Sequence, residues 1–184
     1  MAKFKQDLRS RKRKKSSASS TVKLSPEMTH HFLEQGISLL HAGQPEEALA
    51  IAKKALKCVS SAKFRGLSQL PVLELLGEIY VELGDPEEAR KAFTEAANLD
   101  PDAALPEEAG GGADKFLWLA QLCVEGGAES IMWYEKGCTV LRRAVGALAD
   151  YVGTSDEVLS HEMNKRKLAN ALCGAAEVYM TDLS

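Results

Sequence analysis

Residues 70–101 read LPVLELLGEIYVELGDPEEARKAFTEAANLDP, two amphipathic runs joined by Gly84-Asp85-Pro86. Leu73, Leu76, Gly77 and Tyr80 recur three or four apart, so they share one face of a helix. Beyond the break, Ala89, Phe93 and Ala96 do the same on a second helix, and Pro101 ends the unit. Pro86 suits a first helical turn, and Glu87 and Glu88 lie where the helix dipole favours negative charge. Small residues at Gly77, Ala89 and Ala96 let two antiparallel helices approach closely, with Gly77 and Ala89 expected at the tightest point. Tyr80 and Phe93 fill the space beside that contact. The break is itself repeated: GDPEEA at Gly84–Ala89 nearly matches GQPEEA at Gly43–Ala48, forty-one residues earlier.

This unit resembles the tetratricopeptide repeat (TPR), a helix-turn-helix of about 34 residues that stacks into a superhelix. The copy at 70–103 fits every signature position from Leu73 to Pro101. An earlier copy near 29–62 carries Phe32, Gly36, Leu39, Ala48, Ala52 and Ala55, with Ser60 in place of the closing proline and extra residues around 62–69. A degenerate copy over 113–150 uses Phe116, Leu119, Ala120 and Cys123, then turns at Gly126-Gly127 into Ser130, Tyr134 and Gly137. A partial fourth, from 169, shows Leu172, Ala176 and Tyr179, with Glu177 echoing Glu78. The expected architecture is an all-α superhelix of antiparallel helix pairs over 26–184, behind a leader at 1–25. A solenoid needs a closing element with a polar outer face, so a chain ending at Ser184 after one helix of its fourth pair reads as cut short.

Charge is divided along the chain. Residues 1–24 hold nine Lys/Arg against Asp7 alone, a charge of +8, which leaves −11 on the other 160 residues although the net value is only −3. The run Arg9 to Lys15, followed by a serine-rich stretch, cannot bury apolar surface. Its functional reading is a ligand for a nuclear import receptor, and its plain reading is a solvated tail. Import is preferred because five consecutive basic residues lie in an accessible segment; direct nucleic-acid binding is the weaker alternative. At 45% apolar the body can bury a core, yet no run approaches the roughly 20 residues of a membrane span. Cys58, Cys123, Cys138 and Cys173 fall within helical pattern and read as small core residues in a reducing compartment.

In a stacked TPR array the first helix of each pair lines the groove where partners bind. Carried over by position, the groove takes His30, Leu33, Glu34, Ile37 and His41 from repeat one. Repeat two gives Glu74, Leu75, Glu78, Val81 and Glu82, and repeat three gives Asp114, Leu117, Trp118, Gln121 and Glu125. Glu74, Glu78 and Glu82 form one acidic stripe, which suits a basic partner with a few apolar anchors and otherwise is a solvated face. Trp118 falls beside the apolar face of its helix and is expected to serve as an aromatic anchor rather than as core. TPR domains that clamp acidic tails carry Lys, Asn and Arg at these places. Here the matching positions carry Leu33, Ile37, Glu74, Leu75 and Glu82, and the glutamates would repel a carboxylate.

Enzyme readings fare poorly. Gly110-Gly111-Gly112 follows no strand and precedes no Gly-Lys-Ser/Thr, so it reads as a flexible inter-repeat loop rather than a phosphate cradle. His30 and His31 point to different sides of a helix, His41 and His161 lack partners at ligand spacing, and no nucleophile, base and orienting acid are marked. Neither a cofactor nor a metal is expected.

The stretch Gly111 to Cys123, GGADKFLWLAQLC, followed by EGGAESIMWYEKGCTVL to Leu141, is similar to the fungal TPR proteins that act as dedicated assembly chaperones of large-subunit ribosomal protein four. The start MAKFK and the segment EVYMTDL from Glu177 belong to the same resemblance. It implies capture of a newly made, strongly basic ribosomal protein through an extended internal loop, and escort from cytoplasm to nucleus and the pre-ribosome. On that reading Glu34, Ile37, Glu74, Glu78, Glu82, Asp114, Trp118, Gln121, Glu125 and Glu177 are the partner-binding residues. The runner-up is a TPR adaptor for another basic or helical protein.

Overall fold

A computed structural model describes residues 26–60, 69–106, 109–123, 126–147 and 154–182; the basic leader lies outside them. Among the described residues there are seven helices and no strand: α1 (Pro26–His41), α2 (Pro45–Val59), α3 (Leu70–Glu82), α4 (Pro86–Leu99), α5 (Asp114–Gln121), α6 (Gly127–Ala147) and α7 (Ser155–Thr181). Each packs on its neighbours in sequence, and α1 also reaches α3, so the pairs stack side by side.

The repeated break becomes the same turn twice. Gly43 and Gly84 take positive φ, 72° and 71°, which glycine adopts without steric penalty, and a proline then opens the next helix. The two starts differ in one respect. Asp85 accepts a hydrogen bond from the Glu88 N–H at 3.2 Å, whereas Gln44 makes no such cap.

The tightest point of the α3–α4 pair is Gly77 against Phe93, rather than Gly77 against Ala89. A Cβ on Gly77 would lie 2.5 Å from the Phe93 ring, so the ring occupies the hollow that the glycine leaves. Ala89 is fully buried in the same cluster as Phe93. Gly36, the equivalent of Gly77 in α1, receives Leu75 of α3, whose Cδ2 would be 2.9 Å from an added Cβ. Leu75 is therefore buried between repeats and does not face the groove.

The third and fourth units depart more from the pattern. The helix begun at Asp114 ends at Gln121, which puts Cys123 in the turn, where Gly126 and Gly127 take φ of 58° and 60°. Ser130 then donates to the Ala120 carbonyl at 2.9 Å, fixing α6 on α5. The helix carrying Leu172, Ala176 and Tyr179 starts well before 169, at Ser155, where the Glu157 carboxylate accepts from the Thr154 N–H at 2.7 Å. Cys58 and Cys138 are buried, but Cys123 is half-buried and Cys173 exposed. The reading of all four as helical core thus holds for two.

Gly77→Leu is expected to overpack Phe93 and to cost about 1–3 kcal/mol or more of stability, since the ring has no empty space to enter. Urea melts decide it: an unchanged midpoint would mean that α3 and α4 do not meet at this glycine.

Candidate functional site

The face shared by α1, α3, α5 and α7 brings together residues far apart in the sequence. Glu78 is half-buried on α3, and its carboxyl is held above the ordinary carboxylate range, first by burial and then by repulsion from Asp114 of α5. His41 at the end of α1 and Lys167 of α7 pull it the other way. Three other helices therefore act on one carboxylate. Lys167 donates to Asp114 Oδ2 at 2.7 Å, so α7 supplies a cation to this face that sequence register did not reveal.

Glu74 has a different role from its neighbours on the stripe. Lys115 of α5 is fully buried, and its ammonium donates to the carbonyls of Gly110 at 2.9 Å and Gly112 at 3.0 Å. Asp100 Oδ2 lies 3.5 Å from it and Glu74 Oε1 3.8 Å, and neither oxygen has a hydrogen-bond partner. A buried ammonium needs a counter-charge. Asp100, closer and more deeply buried, supplies it, while its other oxygen accepts from the Ala104 N–H at 2.9 Å. Burial pushes the Glu74 carboxyl up to about 8 despite Lys115, with Asp114, Glu78 and Asp100 adding repulsion. Glu74 is thus mostly neutral near pH 7 and contributes less negative charge than its place on the stripe suggests. The Gly110–Gly112 loop is likewise pinned rather than loose, because Gly111 abuts the Leu105 backbone where no Cβ would fit.

The remaining expected groove residues sit as follows. Glu34 is exposed beside His30, 3.5 Å away one helical turn back, and Ile37 is 42% exposed. Glu82 and Gln121 are exposed; Glu125 lies outside the described residues. Glu177 is exposed on α7 near Tyr134 of α6, whose hydroxyl it holds above its usual range after burial has done so first. Trp118 is half-buried and stacks on Phe93 with centroids 6.0 Å apart and 11° between planes. The ring that fills the Gly77 hollow thus carries Trp118 on its other side, linking repeats two and three. Trp133 stacks in the same way on Phe116, at 6.1 Å and 12°. Arg90 of α4 and Glu129 of α6 add an ion pair at 2.7 Å beside this seam.

Lys115 and Lys167 were missed because sequence pattern assigns lysines to water. One signal for Lys115 was available, namely its place three residues after a Gly-Gly-Gly run whose carbonyls need donors. Among the described residues, no three His, Cys, Asp or Glu side chains converge as a metal site.

Helix pairs stacked in register through small residues, with a polar face built from the first helix of each pair, define a tetratricopeptide-repeat protein. The tetratricopeptide repeat family matches residues 28–102. Two fungal proteins, each named a probable assembly chaperone of rpl4, are similar in sequence. One, from Emericella nidulans, is 50% identical over 111 residues, 60% of this chain and 28% of that protein. The other, from Schizosaccharomyces pombe, is 37% identical over 140 residues, 76% of this chain and 35% of that protein. A solved structure described as the assembly chaperone of RpL4 (Acl4), residues 1–338, superposes with a TM-score of 0.78 at 40% identity, covering 85% of this chain and 56% of that one. The chain is similar to these proteins over its repeats, and it spans about a third of the two sequence relatives and just over half of the structural one.

Two outcomes follow. Glu74 keeps its proton to about pH 8 when folded and loses it near its ordinary value of 4.5 when unfolded, so its contribution to stability is full below that value and fades as pH rises through 8. Glu74→Gln should therefore gain on wild type in denaturant melts between about pH 5 and about pH 8.5, and a constant gap would contradict the burial of this carboxyl. Trp118→Ala should cost about 2 kcal/mol or more of folding stability; a wild-type melting temperature would mark the ring as dispensable to the fold.

Proposed function

We propose that this chain is a non-enzymatic chaperone of a large-subunit ribosomal protein, rpl4, and that the face formed by α1, α3, α5 and α7 holds an extended basic segment of that client. The observation that carries the proposal is kinship: the relatives at 50% and 37% identity, and the structural one, are all named for assembly of this ribosomal protein.

The physical chemistry is consistent with it. A basic, extended segment has little apolar surface and does not fold before it meets RNA. Half-buried Glu78, exposed Glu82 and exposed Glu34 offer it counter-charge, and Ile37 offers an apolar contact. Lys167 and the neutral tendency of Glu74 temper the charge, so the face would hold its client without the strength of a uniform polyanion. Ribosomal RNA, a far denser polyanion, would then displace it. The Arg9 to Lys15 cluster would serve an import receptor, giving a path from cytoplasm to nucleus.

A second reading is an adaptor for a helical partner. It is favoured by the apolar residues exposed on α7, with Leu172 43%, Tyr179 50% and Met180 75% accessible.

Titration of purified rpl4 into the chain by calorimetry separates the two, with complex formation supporting the first. Glu78→Lys with Glu82→Lys should weaken binding, by about 1.5–3 kcal/mol for each charge-assisted bond lost in a desolvated contact and by about 0–1 kcal/mol at an exposed position. Retained affinity with unchanged circular dichroism would take α3 out of the client site.

A further inference from the structure

Leu172, Ala176 and Tyr179 of α7 stand in the register of Leu73, Gly77 and Tyr80 of α3, and Ala169 stands for Leu70. In α3 these positions lie under α4, which lays Phe93 into the Gly77 hollow and sets Ala96 on Leu70 and Leu73. In α1 the corresponding Phe32 and Leu39 pack with Ala48, Ala52 and Ala55 of α2. On α7 no helix among the described residues covers them: Leu172, Tyr179 and the neighbouring Met180 are exposed, as are Ala169 and Ala176. An apolar stripe at helical spacing that is buried in the other pairs is a surface for a second helix.

The stripe is complementary to itself. Ala169, Leu172, Ala176 and Tyr179 alternate small and large at intervals of three, four and three residues, the spacing of a coiled-coil seam. When a second copy of α7 lies antiparallel, with the two-fold axis level with Gly174, Leu172 meets Ala176 of the partner and Tyr179 meets Ala169 of the partner. Each large side chain then falls on a small one. A parallel pair would set leucine on leucine and alanine on alanine. Charge selects the same direction, because Arg166 and Glu177 are both exposed and lie about three turns apart on one flank of the stripe. Antiparallel pairing draws each toward its opposite on the partner, whereas parallel pairing sets like against like.

We propose that this face of α7 pairs with α7 of a second copy to form an antiparallel homodimer. The exposed residues that favour a helical partner thereby find that helix in the chain itself. The seam lies on the side of α7 away from Lys167, which points to Asp114 of α5, so the face formed by α1, α3, α5 and α7 stays open in both copies. Such a dimer carries two client faces. The pairing goes beyond the proposed client binding and does not rest on it, since it depends on α7 alone.

Sedimentation equilibrium of the chain over a range of concentrations is the direct test. A reversible dimer is expected, and Ala176→Glu should raise its dissociation constant roughly tenfold or more by burying an unpaired charge, with wild-type circular dichroism because the position is exposed in one copy. Ala169→Glu is a second, independent variant with the same expected outcome. Cys173, exposed on the Arg166 flank near the axis, should link the two copies through a short bis-maleimide, and Cys173→Ser should abolish the link. A monomer at every concentration overturns the pairing, as does a dimer indifferent to both glutamate variants. A dimer that Cys173 does not link overturns the antiparallel register. If the chain is a monomer in which rpl4 shifts the methyl groups of Leu172 and Met180, the face belongs to the client and the second copy is excluded. A dimer that binds no rpl4 upholds the pairing and refutes only the client.

Discussion

The joint between the second and third repeats depends on one ammonium. Lys115 is withdrawn completely from water, and its hydrogen bonds run to the loop that precedes its own helix, while its counter-charge comes from the end of α4. The link between these repeats is long, and its described residues, 101–106 and 109–113, form no α-helix that could order it. The lysine does this instead. It gathers two carbonyls and the Asp100 carboxylate around one donor, and the loop then lies close enough to α3 for Gly110 to meet Leu70 and Glu74. Without that cluster, α5 would have no fixed start and the polar face would be interrupted between Glu78 and Asp114.

A second connection runs parallel through aromatic rings. Phe93 sits in the space left by Gly77 and presents its far side to Trp118, so packing within one repeat sets the position of the next. Phe116 and Trp133 stack likewise within the third repeat, joining α5 to α6. Stacked rings of this kind add about 0.5–1.5 kcal/mol beyond area burial. The two seams, one polar and one aromatic, make the third repeat part of the array despite its short first helix.

The polar face is a balance rather than a stripe. Its carboxylates are partly answered from within the protein, Asp114 by Lys167 and Glu74 by its own retained proton, which leaves Glu78, Glu82 and Glu34 as the groups most available to a basic ligand. For a proposed chaperone that must release its client, such moderation has an evident use.

The sequence by itself determined the elements. The period of Leu73, Leu76, Gly77 and Tyr80, the doubled Gly-x-Pro-Glu-Glu-Ala break, and the small residues at Gly36, Gly77 and Ala89 were enough to specify helix pairs and their stacking, because these are local rules of spacing, turn conformation and volume. The resemblance over 111–141 pointed to the same group that the relatives define. Tertiary structure alone decided which polar residues face water. Leu75 and Glu74 are adjacent, yet one is buried against Gly36 of the preceding repeat and the other against Lys115 of the following one. Register within a helix cannot show that, since the burial of a charge depends on groups that only stacking brings within reach.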